Sequence, residues 1–308
     1  MILCSGEALI DMIPKPTLEG PDGFVPHVGG AVFNTAIALG RLGAATGMLT
    51  GLSRDMFGQR LADALVANHV DTAHVIRSDR PTTLAFVQLT DGHATYSFYD
   101  ENSAGRMLAV ADLPEISGDV SALYFGGISL ACEPGSDTYA ALLAREAGDR
   151  AVMIDPNIRP GFVQDIDRFR SRLDAMLGRA DIVKVSDEDL NWLIADPISL
   201  DEKVARVQAK GPSVVILTRG SQGAIGYLKG GAVVTVPAEV AAIVDTVGAG
   251  DTFNAGVLAR LSEAGLLTRA HLAELGPDPL KAALEYGARV AAATVTRAGA
   301  NPPWAGEL

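Results

Sequence analysis

From residue 120 onward, short apolar runs alternate with longer helical stretches. Ala122 to Phe125, Ala151 to Asp155, Asp181 to Val185 and Ser213 to Thr218 are each too short for a core helix and too apolar for a strand with one wet face. Strands joined by helical crossovers build a mostly parallel sheet covered on both faces. The class is therefore α/β. In such a sheet, ligands sit at the carboxyl ends of the strands.

The upstream half fits the same scheme with two departures. Ile2 to Ile10 is an apolar run broken by Gly6 and Glu7, and reads as one buried strand with Asp11 at its end. Residues 14–29, rich in Pro and Gly, read as loop or short edge strands. Gly29 and Gly30 precede an apolar helix, Ala31 to Leu42, with Gly43 as its C-terminal cap. A strand (Ala45 to Leu52) and a helix (Phe57 to Ala67) follow. Between about 73 and 100 the pattern turns antiparallel: Thr83 to Thr90 and Ala94 to Tyr99 flank Asp91-Gly92-His93, a hairpin signal. A second hairpin, Gly223 to Lys229 and Ala232 to Val236, precedes two helices, Thr252 to Ala264 and Pro279 to Thr296.

Composition excludes several classes. With 37 acidic and 25 basic side chains the net charge is −12, which repels the phosphates of nucleic acids and anionic membranes. A hydrophobic content of 48% argues against disorder. Cys4 and Cys132 form no disulfide framework or C-x-x-C motif and read as buried, reduced thiols. No apolar run reaches the ~18 residues of a membrane span, and the first residues lack a basic stretch, so a cytoplasmic protein is expected.

Four predicted strand ends carry polar residues suited to a ligand edge. These are Asp11, the turn Asp155 to Pro160, Lys184 with Ser186 to Asp189, and Thr218-Arg219-Gly220. The sharpest local signal is Asp245-Thr246-Val247-Gly248-Ala249-Gly250-Asp251-Thr252-Phe253. Small residues entering an amphipathic helix, with Phe253, Val257, Leu258 and Leu261 on its apolar side, expose backbone N–H groups at the positive end of the helix dipole. Such a turn suits a phosphate. Asp251 could be a helix cap, but its place beside Gly248, Ala249 and Gly250 turns the reading toward catalysis. Other chemistries lack support. There is no Gly-Lys pair for a Walker loop, and the five histidines show no metal-ligand spacing. Neither H-E-x-x-H nor G-x-S-x-G occurs.

Asp245 to Phe253 resembles the C-terminal signature of the ribokinase-like (PfkB) carbohydrate kinases. Gly29-Gly30-Ala31-Val32-Phe33-Asn34 resembles their N-terminal glycine motif, and Thr218-Arg219-Gly220-Ser221-Gln222-Gly223 their nucleotide-binding motif. The motifs occur in the family's order across nearly the whole chain. Asp155 to Pro160, Arg80 to Thr83 and Tyr96 to Tyr99 are similar to the bacterial fructokinase branch.

The resemblance implies a single kinase domain over 1–308 with a three-layer fold, and a β lid from insertions at 12–28 and 73–105. Closure of that lid would exclude water, with Phe98 or Tyr96 facing the pocket; its exposed edges offer a route to a homodimer. It implies γ-phosphoryl transfer from ATP to a sugar hydroxyl, with Asp251 taking the proton and the N–H groups of Ala249 and Gly250 holding the transferring charge. A helix N-terminus is expected to lower the Asp251 pKa. The family match assigns the sugar to Asp11, Gly29, Gly30 and Asn34, with Arg159 either touching it or bracing its own turn. It assigns ATP to Lys184, Ser186, Thr218, Arg219, Gly220 and Gly223. Asp189 stands where the family carries glutamate in its Mg²⁺ region, and the backbone carbonyls of Asp245, Val247, Thr294, Arg297 and Gly299 match a K⁺ site. The expected substrate is a ketose, fructose first. A 2-keto-3-deoxygluconate kinase and a catalytically silent sugar- or nucleotide-binding protein are the alternatives.

Overall fold

The computed structural model describes residues 1–18, 20–90 and 93–308. In chain order the strands are β1 (Ile2–Ser5), β2 (Leu9–Lys15), β3 (Gly23–Gly29), β4 (Thr46–Leu49), β5 (Gly51–Ser53), β6 (Val70–Asp71), β7 (Ile76–Ser78), β8 (Leu84–Thr90), β9 (His93–Tyr99), β10 (Ala122–Gly126), β11 (Ala151–Asp155), β12 (Ile182–Ser186), β13 (Val214–Thr218), β14 (Ala224–Leu228) and β15 (Val233–Val236). The α-helices are α1 (Ala31–Arg41), α2 (Met56–Ala67), α3 (Gly135–Glu146), α4 (Ile166–Leu177), α5 (Asp187–Leu193), α6 (Leu200–Gln208), α7 (Ala249–Glu263), α8 (Arg269–Ala273) and α9 (Pro277–Val295).

The central sheet runs β15-β14-β13-β12-β11-β10-β1-β4-β6. Its strands from β13 to β6 are mutually parallel, and β14 and β15 close one edge antiparallel. The apolar runs follow from burial on both faces. Ile2, Cys4, Tyr124, Met153 and Ile216 pack with α1, α7 and α9, whereas Leu3, Leu123, Phe125, Ile154 and Val215 pack with α3, α4 and α6. Each buried aliphatic side chain contributes about 2 kcal/mol. Both cysteines are free and buried, and among the described residues no helix is long and apolar enough to cross a membrane.

Two strands expected in the first fifty or so residues are each split in the structure. The apolar run at the N-terminus is two strands: β1 ends at Ser5, the chain turns at Gly6 to Ala8, and β2 leaves the central sheet. Asp11 therefore stands in the second sheet, not at the end of a core strand. The run Ala45 to Leu52 also splits, and β5 pairs with β7 in a small separate ladder.

The second sheet has the order β3-β2-β8-β9. It occupies 9–15, 23–29, 84–90 and 93–99, a tighter set than the expected 12–28 and 73–105. Residues 76–78 belong to the β5–β7 ladder, and Ala104 turns back on Pro81 through a 2.9 Å backbone hydrogen bond. The expected Asp91-Gly92 turn lies outside the described residues.

The helix expected from Thr252 begins at Ala249, and it is not amphipathic: Asp251 through Ala259 are all buried. It lies between α1 and α9, which cover it from two directions. A Cβ on Gly256 would come 2.7 Å from the Gly287 Cα, so glycine at both positions allows the α7 and α9 backbones to touch.

Candidate active site

Parallel registry brings the carboxyl ends of β10 to β13 to one edge: Gly126 pairs with Asp155, and Ser186 with Thr218. Between this edge and the second sheet lies a cavity of about 520 Å³. Asp11, Gly30, Arg159, Lys184, Val247, Gly248, Ala249, Gly250 and Asp251 all line it. Residues from five regions of the sequence thus share one chamber.

Asp251 lies in the first turn of α7 and is 7% exposed. Its Oδ2 accepts from Asn34 Nδ2 at 2.9 Å, and its backbone carbonyl accepts from Thr35 Oγ1 at 3.1 Å. Both donors come from the first turns of α1, so the α1–α7 contact aims the carboxylate. Gly248 enters α7 with φ 78°, and a Cβ there would meet Ala300 Cβ at 2.6 Å. The first-turn N–H groups of an α-helix precede its own hydrogen-bond ladder and can serve an anion; in α7 that of Ala249 donates to the Thr246 carbonyl at 3.3 Å.

Burial pushes the Asp251 carboxyl up to about 7. The Asn34 hydrogen bond and the Lys184 charge oppose this, while the Asp155 charge adds to it. The direction is opposite to the one expected from the helix N-terminus, because loss of solvation is the largest influence on this carboxyl. Burial likewise lifts Asp11 to about 6 and Glu7 above the usual carboxylate range.

Lys184 is not a surface cation. It is 5% exposed, and its Nζ donates to Asp155 Oδ2 at 2.9 Å. A Cβ on Gly250 would lie 3.5 Å from that Nζ, which places the ammonium against the start of α7. Burial disfavours this charge, yet Asp155, Asp189 and Asp251 together raise its pKa above the ordinary lysine value. Asn254, one turn after Asp251, donates to Asp155 Oδ2 at 2.7 Å and to Tyr124 Oη at 3.0 Å. Asp155 Oδ1 and Asn254 Oδ1 are buried without a hydrogen-bond partner among the described residues.

The remaining expected residues fall into groups. Gly29 and Asn34 stand just behind the cavity wall; a Cβ on Gly29 would lie 2.1 Å from Asp11 Oδ2, so glycine leaves room for that carboxylate. Thr218, Arg219, Gly220 and Gly223 lie on the same sheet edge outside the chamber, in a turn closed by Arg219 N donating to Gly223 O at 2.8 Å. Ser186 caps α5, accepting from Asp189 N at 2.9 Å. Both Asp189 oxygens accept backbone N–H groups, from Ile158 at 2.8 Å and Ser186 at 3.2 Å. Asp245 joins two of the carbonyl-bearing segments: its carboxylate accepts from Val247 N at 3.0 Å and Gly299 N at 2.8 Å. Nearby, Arg297 N donates to the Thr294 carbonyl at 3.0 Å.

Three participants were not singled out from the sequence, and a fourth, Asp155, was marked only as part of its turn. Glu7 accepts from Ala31 N at 3.1 Å and Ser129 N at 3.2 Å, joining the start of α1 to the turn after β10. Its signal was a charged residue inside an apolar run. Asn254 was a polar residue among apolar helix neighbours, three positions after Asp251. Phe162, which packs edge-on against Phe98 of β9 with centroids 4.4 Å apart, gave no local signal.

The profile of the family described as "pfkB family carbohydrate kinase" matches residues 1–305. A fructokinase of Rhizobium leguminosarum bv. trifolii is 51% identical over 288 residues, covering 91% of this chain and 87% of that protein. The crystal structure of a Xylella fastidiosa fructokinase with bound ATP superposes with a TM-score of 0.89 at 30% identity, covering 97% of this chain and 93% of the other. That of a Vibrio cholerae O395 fructokinase, with fructose, ADP and a calcium ion bound, superposes with a TM-score of 0.83 at 26% identity, covering 97% and 94%.

Proposed function

The chain belongs to the pfkB family of carbohydrate kinases, and from that premise we propose that it is an ATP-dependent fructokinase in which Asp251 is the general base. One observation carries the proposal. A buried carboxylate aimed by Asn34, with its pKa lifted to about 7, shares one chamber with Asp11, Lys184 and the amide turn of α7.

The sugar hydroxyl oxygen attacks the γ-phosphorus, its proton passes to Asp251, and the bond to the β-phosphate oxygen breaks to release ADP. A pKa near 7 leaves much of Asp251 ionised at neutral pH while keeping it basic enough to take the proton. The N–H groups of Ala249 and Gly250, with the Lys184 ammonium beside them, face the charge of the transferring group. Asp11, Gly30, Asn34 and Arg159 would hold the sugar. The turn Thr218 to Gly223, outside the chamber and next to β12, would hold the nucleotide.

Four carboxylates (Glu7, Asp11, Asp155 and Asp251) line the chamber against the two cations Lys184 and Arg159. That balance favours a neutral ketose over an acid such as 2-keto-3-deoxygluconate. Among the described residues no three His, Cys, Asp or Glu side chains could hold a metal ion. Mg²⁺ would enter with the nucleotide, keeping waters of its own, and would neutralise phosphate charge there. The Asp245-stitched segments 245–247 and 294–299 are the place proposed for K⁺. Phe24, Phe86 and Tyr99 form an edge-to-face row on the lid, with Phe24 and Tyr99 exposed, and we assign a homodimer contact to it. A cytoplasmic location, where ATP is at hand, accords with this reading.

An ADP-release assay across fructose, 2-keto-3-deoxygluconate, ribose and adenosine tests the reading. Fructose is expected to give the highest kcat/KM. ATP binding without turnover on any of the four would instead favour a silent binding protein.

A further inference from the structure

We propose that Asp189 is a positioning residue for the sugar-side wall of the chamber, and not a ligand of the magnesium–phosphate region. The proposal rests on the sugar-kinase reading above. Asp189 is 6% exposed and does not line the chamber. Its Oδ1 accepts from Ile158 N at 2.8 Å, its Oδ2 from Ser186 N at 3.2 Å, and its own N–H donates to Ser186 Oγ at 2.9 Å. Turning the carboxylate toward a cation would strand a buried backbone N–H, an outcome native structures avoid.

The segment it holds needs a tether. Asn157 has φ 41°, a left-handed conformation that side-chain-bearing residues rarely adopt. Asn157, Arg159 and Phe162 all face the chamber. Between them, Ile158 is buried and fixed at both polar atoms: its N–H by Asp189, and its carbonyl by Arg159 Nη1, which donates at 3.1 Å. The start of the same turn is held from the same neighbouring strand, because Lys184 donates to Asp155. The turn after β11 thus hangs from two residues of the β12–α5 junction. Asp189 governs where Asn157 and Arg159 meet the sugar. The short side chain suits this task, since it keeps the carboxylate against the start of α5 within reach of Ile158 N–H.

The test compares wild type with Asp189→Ala and Asp189→Asn. Fructose affinity is read by calorimetry in EDTA without nucleotide, and kinetics are run with Mg²⁺ varied at saturating ATP. The alanine variant is expected to lose at least tenfold in fructose affinity in EDTA and to show a matching rise in fructose KM. Its Mg²⁺ half-saturation and ATP KM should stay within about twofold. Asparagine still offers Oδ1 to Ile158 and should recover most of the loss. Unchanged fructose affinity in the alanine variant overturns the proposal. So does a tenfold rise in Mg²⁺ half-saturation in either variant, and that second measurement decides the matter from the asparagine variant if the alanine variant fails to fold. Wild-type turnover is followed in parallel. A wild type inactive on every sugar counts against the kinase reading, whereas an active wild type with an indifferent alanine variant counts against the role of Asp189 alone.

Discussion

At Asp251, burial, joined by the charges of Asp155 and Glu7, competes with the Asn34 hydrogen bond and the Lys184 charge, and burial wins. Its folded pKa of about 7 lies above the ordinary 3.8, so ionising it costs folding free energy. The cost is absent below the lower value, grows between the two, and is complete above the higher one. Its size is on the order of a few kcal/mol, since a tenfold change in an ionisation constant corresponds to about 1.4 kcal/mol. Asp251→Asn can still accept from Asn34 through its own Oδ1, and it removes the ionisation. The variant is therefore expected to match wild type in stability near pH 4 and to exceed it at pH 8, as read from urea midpoints at the two pH values. The same substitution should lower turnover by about 10³-fold or more; activity within tenfold of wild type would remove Asp251 from the role of base. In the free wild-type enzyme, kcat/KM for the sugar should rise with pH through an apparent pKa near 7. The placement of Asp251 was legible in Gly248-Ala249-Gly250-Asp251, because small residues before a helix are a local signal. Its basicity was not, because the neighbours that desolvate it come from positions far away in the chain.

The helix that carries Asp251 depends on how closely its neighbours approach. Phe253, Val257 and Leu258 are buried in the cluster shared with α1 and α9, and Gly256 meets Gly287 at backbone distance. A methyl group at 256 has only backbone to push against: the Gly287 Cα at 2.7 Å and N at 3.0 Å. Gly256→Ala should therefore destabilise by about 1–3 kcal/mol despite the better helix propensity of alanine. Gly148→Ala, where a Cβ meets nothing within 4 Å, should stay within about 0.5 kcal/mol of wild type. Calorimetric melting of the pair checks the contrast, and equal melting temperatures would contradict it. At this scale the parallel strands were legible because burial on both faces leaves unbroken apolar runs. The division of residues 2–10 was not. β1 is apolar because both faces of the central sheet are covered, and β2 begins apolar because its base packs on the same core. Hydropathy is continuous across a break that only Gly6 and Glu7 mark. α7 was misread as amphipathic for a related reason: Asp251 and Asn254 resemble a solvent face in sequence but are buried polar groups with partners.

Over the whole molecule, the four-stranded sheet and the body meet across the chamber, and an aromatic contact joins them. Phe98 on β9 packs edge-on against Phe162 in the turn after β11, both line the chamber, and that turn is held at Ile158 by Asp189. The contact covers the chamber beside the turn after β11, a place suited to excluding water rather than to the chemistry. Water is the competing phosphoryl acceptor in any kinase, and a loosened roof admits it. Phe162→Ala removes one ring from the pair and leaves Asp251, Lys184 and Asn34 in their own contacts. Both rings are only partly buried, so the global stability loss should be small compared with a core Phe→Ala change of about 3–5 kcal/mol. The functional signature is specific. Fructose KM is expected to rise about tenfold, and ADP release in the absence of sugar should rise relative to sugar-dependent turnover. Phe162→Leu, which keeps an apolar plug, should lie between the two. Measuring ADP release with and without fructose for all three proteins decides the point. If sugar-free ADP release in Phe162→Ala is no greater a share of turnover than in wild type, the roof is sealed by the lid strands themselves and the aromatic contact serves only packing.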